Sequence, residues 1–512
     1  MLKRRQLFQF AGVAAVAAAG GAVWTSFAAP RSSAVAGGPF GVLDVAGPLK
    51  IRATAASFAL MPGGKSPFLL YQTEQAGKAY QNPILRMESG KRFTASLHNE
   101  LKEPTIIYWH GLHTPAGMDG HPASTIGPGA RYDYDFTVRN RGGTYWYHTH
   151  AHNLTAQQAY NGPASFFLVD DDDQRNLSKA LDLQLGVTDL PLVVQDKQFD
   201  KQGKLVYKPG MHEAMMGWLG DIVLANLTAN AVQTVTPRTY RLRLLNGSNA
   251  RIYRLEFVKG DTPLNFTVIG TDGGLIERPE AVTEAFFAPG ERLDVLIDAG
   301  QAQPGEAIFL KSLAFDAMEN EGASGMGGMG GMSSSRLPLG RAFNVLKLSV
   351  GSGERIVSQL SALLSVIKPI QTANANERKI ELSMGQMRFL INGRTFKMDE
   401  IAFDVKRGSV EIWSISNPAI GMPHPMHIHG FSFQVLERVG SPPQVASTAR
   451  FGIGRTVSDL GWKDTVLVWP GETVRIAIDF AHDNPGSQTY VFHCHNLEHE
   501  DAGLMINYRE LA

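Results

Sequence analysis

The chain has 512 residues, 44% hydrophobic and 19% charged, with 53 glycines and 27 prolines. This composition excludes a disordered chain and, at about 150 residues per unit, predicts three folded units rich in turns. Lysine plus arginine equals aspartate plus glutamate at 48 each, so no charge excess is left to bind nucleic acid or an anionic lipid surface.

The first segment, MLKRRQLFQFAGVAAVAAAGGAVW, sets Lys3, Arg4 and Arg5 before a short apolar run of Ala, Val and Gly. The pattern reads as a signal peptide over residues 1–36, cut between Ala28 and Ala36. Its twin Arg4-Arg5 followed by Leu7 resembles the signal of the bacterial pathway that exports folded proteins. The twin-arginine export machinery is then a partner and the periplasm the destination. No later apolar run is long enough to span a bilayer, so the mature protein is expected not to be membrane-spanning.

Strand patterns dominate the rest. Tyr132, Tyr134, Phe136 and Val138 alternate with polar residues, as do Val474, Ile476, Ile478 and Phe480, and a period of two is the mark of a half-buried strand. Long amphipathic helix patterns are scarce, although residues 352–366 have room for a short helix. The fold class is all-β, built as several sandwiches. Two shifts in composition mark boundaries. One is the acidic run Asp170 to Asp173 after the apolar ASFFLV. The other is MENEGASGMGGMGGMSSS, Met318 to Ser335, too poor in bulky side chains to build a core. They divide the mature chain into 37–170, 171–342 with the Met- and Gly-rich loop near its end, and 343–512.

Histidine pairs occur in the first and third units only. Residues two apart on a strand share a face, so His148-Thr149-His150 aims two imidazoles into one space. The third unit adds HPMHIHG, with His424, His427 and His429, and HCHNLEH, with His493, Cys494, His495 and His499. If YVFHCHN is extended, His493 and His495 face one side and Cys494 the other, so one strand touches two sites. The same parity puts His424 with Cys494, and His427 and His429 with His493 and His495. His499 joins Cys494 only if the chain bends after the strand, through a helical turn at LEHED. One cysteine, the only one in the chain, with two imidazoles is the ligand set of a blue copper electron-transfer centre, and a compartment of imidazoles alone suits copper that meets dioxygen. Cys494 is bonded directly to both His493 and His495, which wires one site to the other.

These histidine motifs, in this order and at these separations, resemble the multicopper oxidases, especially the bacterial type with three cupredoxin domains that includes laccase-like enzymes and periplasmic cuprous oxidases. RLRLLNGSNARIYRLEF with GTDGGLIERP resembles the second domain of that family, and GWKDTV the third. The resemblance implies three cupredoxin-like Greek-key β-sandwiches holding up to four copper ions. His424, Cys494 and His499 then bind the type 1 copper, where donor electrons enter. His427 falls on the type 2 copper, and His110, His148, His150, His429, His493 and His495 on the type 3 pair, where dioxygen becomes water. Asp119 in GMDG and Glu500 match carboxylates that deliver protons in similar enzymes.

Two positions depart from the family pattern. Tyr108 in TIIYWHGLH stands where the family has its second type 2 histidine. A neutral phenol is a poor ligand, so type 2 occupancy is in doubt: water completes the site, Tyr108 supplies an electron or hydrogen atom, or His113 swings in from beyond Gly111. Five residues after His499 stands Leu504, where similar bacterial enzymes carry an axial methionine, and Met505 is one place late. Loss of a thioether removes stabilisation of cupric copper and raises the type 1 potential.

The implied function couples one-electron oxidation of cuprous ion or a small phenol-like donor to reduction of dioxygen, in a monomer. Met318, Met326, Met329 and Met332 match in place a methionine-rich insertion of copper-detoxifying relatives, and Met422 lies near His424. The alternative is a copper-binding or periplasmic assembly protein on the same fold, with little turnover because of Tyr108.

Overall fold

The computed structural model describes residues 41–162, 164–319, 334–385 and 388–512. The signal segment 1–36 and Met326, Met329 and Met332 lie outside them.

Among the described residues the strands form six sheets, which pair face to face into three sandwiches. Each pair shares one apolar core. Leu49, Ile51 and Phe93 from one sheet of the first unit meet Leu85, Tyr145 and Phe167 from the other. The second unit closes Leu190 and Leu242 over Leu255, Leu310 and Leu346, and the third closes Ile380, Trp413 and Ile476 over Met426, Phe492 and Tyr508. The sheets mix parallel and antiparallel pairs, and hairpin neighbours alternate with strands that lie side by side although distant in sequence. The architecture is therefore the expected all-β set of Greek-key, cupredoxin-like sandwiches.

Some local readings change. The strand Phe343–Val350 pairs with Val232–Val235 and Ala307–Ser312, so the second sandwich runs past residue 342 to 350. No helix forms over 352–366. Two of its amides bond the second unit, Ile356 N–H to Pro237 O and Leu364 N–H to Glu277 O, which holds the segment as a strap. The acidic run that marks the first boundary opens a helix: Asp171 caps the helix Asp172–Leu181 through the amide of Gln174, and Asp172 and Asp173 sit in its first turn, where the helix dipole favours them.

The three units meet at one seam. Asn249, of the second unit, donates to Ala156 O of the first at 3.0 Å and to Glu498 Oε1 of the third at 2.7 Å. Asp501 of the third accepts from the amides of Thr155 and Ala156 at the start of the first unit's helix Thr155–Tyr160. No described helix is long and apolar enough to cross a membrane.

Candidate metal centre

The first unit supplies its part of the site from two paired strands, Ile107–Tyr108 and Gly143–Thr149, with Tyr108 opposite His148. Trp109 turns away from the site into the first core, packing edge-on against Phe93 and Tyr134 at centroid distances of 4.9 and 5.2 Å. That anchor leaves Tyr108 and His110 facing the seam. Gly111 follows with φ of +83°, and a Cβ there would lie 2.5 Å from an oxygen of Asp464, so the turn is open only to glycine.

The third unit supplies the rest from the strands His424–Ile428 and Gln488–Cys494, where His427 faces His493 and Met426 faces Cys494. The chain then bends into the short helix Leu497–Asp501, which returns His499 toward the cysteine as the sequence required. Cys494 Sγ lies 3.6 Å from His424 Nδ1 and 3.7 Å from His499 Nδ1, and the two nitrogens are 3.3 Å apart. On the opposite side of the strand the imidazoles divide into two triads, His110 with His148 and His495, and His150 with His429 and His493. His427 joins neither. Its Nε2 meets Tyr108 Oη at 2.7 Å.

The outer nitrogens decide where the lone pairs point. His148, His427 and His493 each give Nδ1–H to a backbone carbonyl, of Thr149 at 2.7 Å, Asp464 at 2.8 Å and Cys494 at 3.0 Å. A carbonyl only accepts, so Nε2 carries the lone pair and faces inward. His110 is reversed: its Nε2 lies 3.1 Å from Asp464 Oδ1, and its Nδ1 faces His148 Nε2 at 3.3 Å. His499 likewise gives Nε2–H to Met215 O at 3.0 Å and turns Nδ1 to the cysteine. Both nitrogens of His495 are buried without a hydrogen-bond partner. Burial first, and neighbouring imidazoles second, push the pKa values of His110, His429, His495 and His499 well below the ordinary histidine value, and burial alone brings His424 down to about 3. Neutral rings with lone pairs converging in a dry space are what a metal cation requires, so three places fit copper: the cysteine site and each triad.

Carboxyl groups complete the surroundings. Asp119 Oδ2 is 2.7 Å from His429 Nδ1, and Glu500 lies 3.5 Å from His150 Nδ1 and 3.2 Å from His493 Nδ1. Burial raises both carboxyls well above the usual range. Asp464 behaves oppositely: burial would raise it, but Arg292 of the second unit and His110 hold it well below. Asp464 also stands near His110 and His427 as a fourth group of candidate ligands, yet its carboxylate is already paired with Arg292 and serves to orient the rings. GWKDTV supplied the residue, and nothing in the spacing of the histidines pointed to its role.

At the cysteine site Leu504 is buried in the third core together with Cys494. Met505 is paired with His493 and packs with Phe396 and Val491, on the other side of its strand, so it does not replace the missing thioether. His113 reaches Ser432 Oγ at 2.8 Å and joins neither triad. The sequence reading also passed over the helix Met211–Met216 of the second unit, MHEAMM, whose Met215 carbonyl holds His499 and whose Met211 is exposed. Three methionines in six residues were the available signal. Met422 is buried and Met318 packs at the edge of an apolar cluster with Phe315 and Leu339.

Family models described as multicopper oxidase match residues 72–174, 178–322 and 365–512. A laccase of Bacillus subtilis is 32% identical over 440 residues, covering 80% of this chain and 80% of that one. The cell division protein FtsP of Photorhabdus laumondii is 29% identical over 425 residues, 83% of this chain and 82% of that one. Among solved structures, the McoA multicopper oxidase of the hyperthermophile Aquifex aeolicus superposes with a TM-score of 0.84 at 38% identity, over 95% of this chain and 100% of that one. Matched along all three sandwiches, and carrying the cysteine site and both histidine triads, the chain belongs to the copper-binding family of multicopper oxidases.

Proposed function

We propose that this chain is an oxidase that takes electrons singly from cuprous ion or a small phenol-like donor and passes them to dioxygen. The observation that carries the reading is the strand Gln488–Cys494, whose cysteine faces one ligand set while the flanking His493 and His495 enter one triad each. Copper in these places supplies one-electron redox chemistry between the donor and dioxygen, which leaves as water. Cys494 offers the electron a bonded route of a few atoms to either triad.

The chain's other residues fit that task. Asp119 and Glu500, whose pKa values burial raises, touch the outer nitrogens of His429, His150 and His493 and are placed to deliver the protons that water formation consumes. The helix Met211–Met216 rests on His499 and offers thioethers that suit cuprous ion, while likeness to a laccase supports a phenol. Leu504, without a donor atom, favours a high potential and so harder donors. The twin-arginine segment supports export of a folded monomer to the periplasm.

The bond between Tyr108 and His427 favours a second reading, a copper-binding or assembly protein with little turnover, and the likeness to a cell division protein agrees with it. An oxygen electrode separates the two. Rapid oxygen uptake with cuprous ion or a phenol supports the oxidase, and bound copper without uptake supports the binding protein.

A further inference from the structure

Seven imidazoles face the cluster, and two triads account for six of them. The seventh, His427, has a phenol where an imidazole partner would stand. The direction of its 2.7 Å bond to Tyr108 follows from the far side of the ring. Nδ1 gives its proton to the Asp464 carbonyl, so Nε2 holds the lone pair and the phenol O–H donates to it. The lone pair that a metal would need is thus already filled. Tyr108 brings no second nitrogen, and within the described residues no further histidine approaches Nε2 outside the triads.

The phenol is also held in place. Its ring stacks on His429 at 3.7 Å and 12°, and meets His148 and His150 edge-on at 5.3 Å each, so it touches both triads. Tyr108 is fully buried, and its backbone is paired with His148. Swinging the phenol aside to admit a metal would break this stack and open a void in a close-packed interior.

We propose that this position takes no copper: the Tyr108–His427 hydrogen bond stands in place of the mononuclear cluster ion, and the chain carries three coppers, one at the cysteine site and one in each triad. The proposal rests on the oxidase reading and narrows it, because dioxygen then meets a binuclear pair flanked by a phenol O–H.

The test is the copper content of the full-length protein, loaded with copper, freed of excess ion and measured by plasma mass spectrometry beside its electron paramagnetic resonance spectrum. Three coppers per chain are expected, with one spin visible, from the cysteine site, the coupled pair being silent. Tyr108→Phe keeps the stacked ring and removes the O–H, and is expected to hold three coppers as well. Tyr108→His is expected to hold four and to show a second spin. Four coppers with two signals in the natural chain, loss of one copper in Tyr108→Phe, or three coppers in a folded Tyr108→His protein would each overturn the proposal. Oxygen uptake on the same samples keeps the two readings apart. Three coppers without uptake defeat the oxidase alone, and four coppers with brisk uptake defeat the stoichiometry alone.

Discussion

Asp464 Oδ1 lies 3.1 Å from Nε2 of His110, the ring nitrogen turned away from His148. That contact turns Nδ1 of His110 inward, the reverse of His148, His427 and His493, and Arg292 from the second unit keeps the carboxylate ionised so that it can do so. Asp464→Asn removes the charge, frees the ring to take the other tautomer and leaves the buried guanidinium of Arg292 with only the more distant carboxylate of Asp272, 3.8 Å away. Copper affinity of the His110, His148 and His495 triad is expected to fall by roughly 10–100-fold. Stability is expected to fall by about 3–5 kcal/mol. Chelator competition and thermal unfolding measure the two effects, and an unchanged copper affinity would show that Asp464 does not orient the ring.

Leu504 shares the third core with Cys494, and its carbonyl accepts the Cys494 amide at 3.0 Å. Leu504→Met is close to volume-conserving, so it is expected to cost less than about 1.5 kcal/mol of stability. The thioether it adds stabilises cupric copper, which lowers the potential of the cysteine site and slows oxidation of the hardest phenols. A redox titration followed by visible absorption checks the direction, and a potential that stays or rises contradicts the account.

Lys197 is buried against Tyr160, whose carbonyl accepts its ammonium and whose ring lies 4.2 Å beneath it. Burial pulls its pKa down to about 7, against the pull of Asp196 and Glu498. Between pH 7 and the ordinary lysine value the unfolded chain binds the proton that the folded chain has released, so this residue makes stability rise with pH across that window. Below pH 7 both states are charged and the cost of the buried ammonium is constant, on the order of a few kcal/mol. The difference in melting temperature between the natural chain and Lys197→Met is expected to shrink from pH 7 to pH 9.5. A difference that is flat with pH removes Lys197 from the account.

Deleting Met318 to Ser335 takes away four thioethers and none of the described strands. If that segment gathers cuprous ion, kcat/KM for cuprous oxidation falls by roughly tenfold, a binding loss of ~1.4 kcal/mol, while phenol oxidation is spared. Equal losses with the two donors would reject a role for the segment.

The sequence made the histidines legible because strand parity is a local rule: His493 and His495 on one face and Cys494 on the other need only an extended backbone. The bend that returns His499 was legible for a similar reason, since its odd step from Cys494 demanded one. What lay beyond reach was contact at long range. Arg292 holds Asp464 from 172 residues away, and no spacing reveals which carbonyl fixes His427 or that His110 is reversed. The segment 352–366 carried helical spacing, but two of its amides found partners on Pro237 and Glu277, and tertiary contact won over local pattern.

The account turns on the cysteine strand as the link between electron entry and dioxygen, and one optical experiment tests it most directly: visible absorption of the copper-loaded protein, followed through a single reduction by donor under argon and a single return of oxygen. The account predicts an intense blue thiolate band that bleaches with cuprous ion or phenol and comes back when oxygen is admitted. No blue band in metal-loaded protein, or a bleached band that oxygen fails to restore, would contradict it.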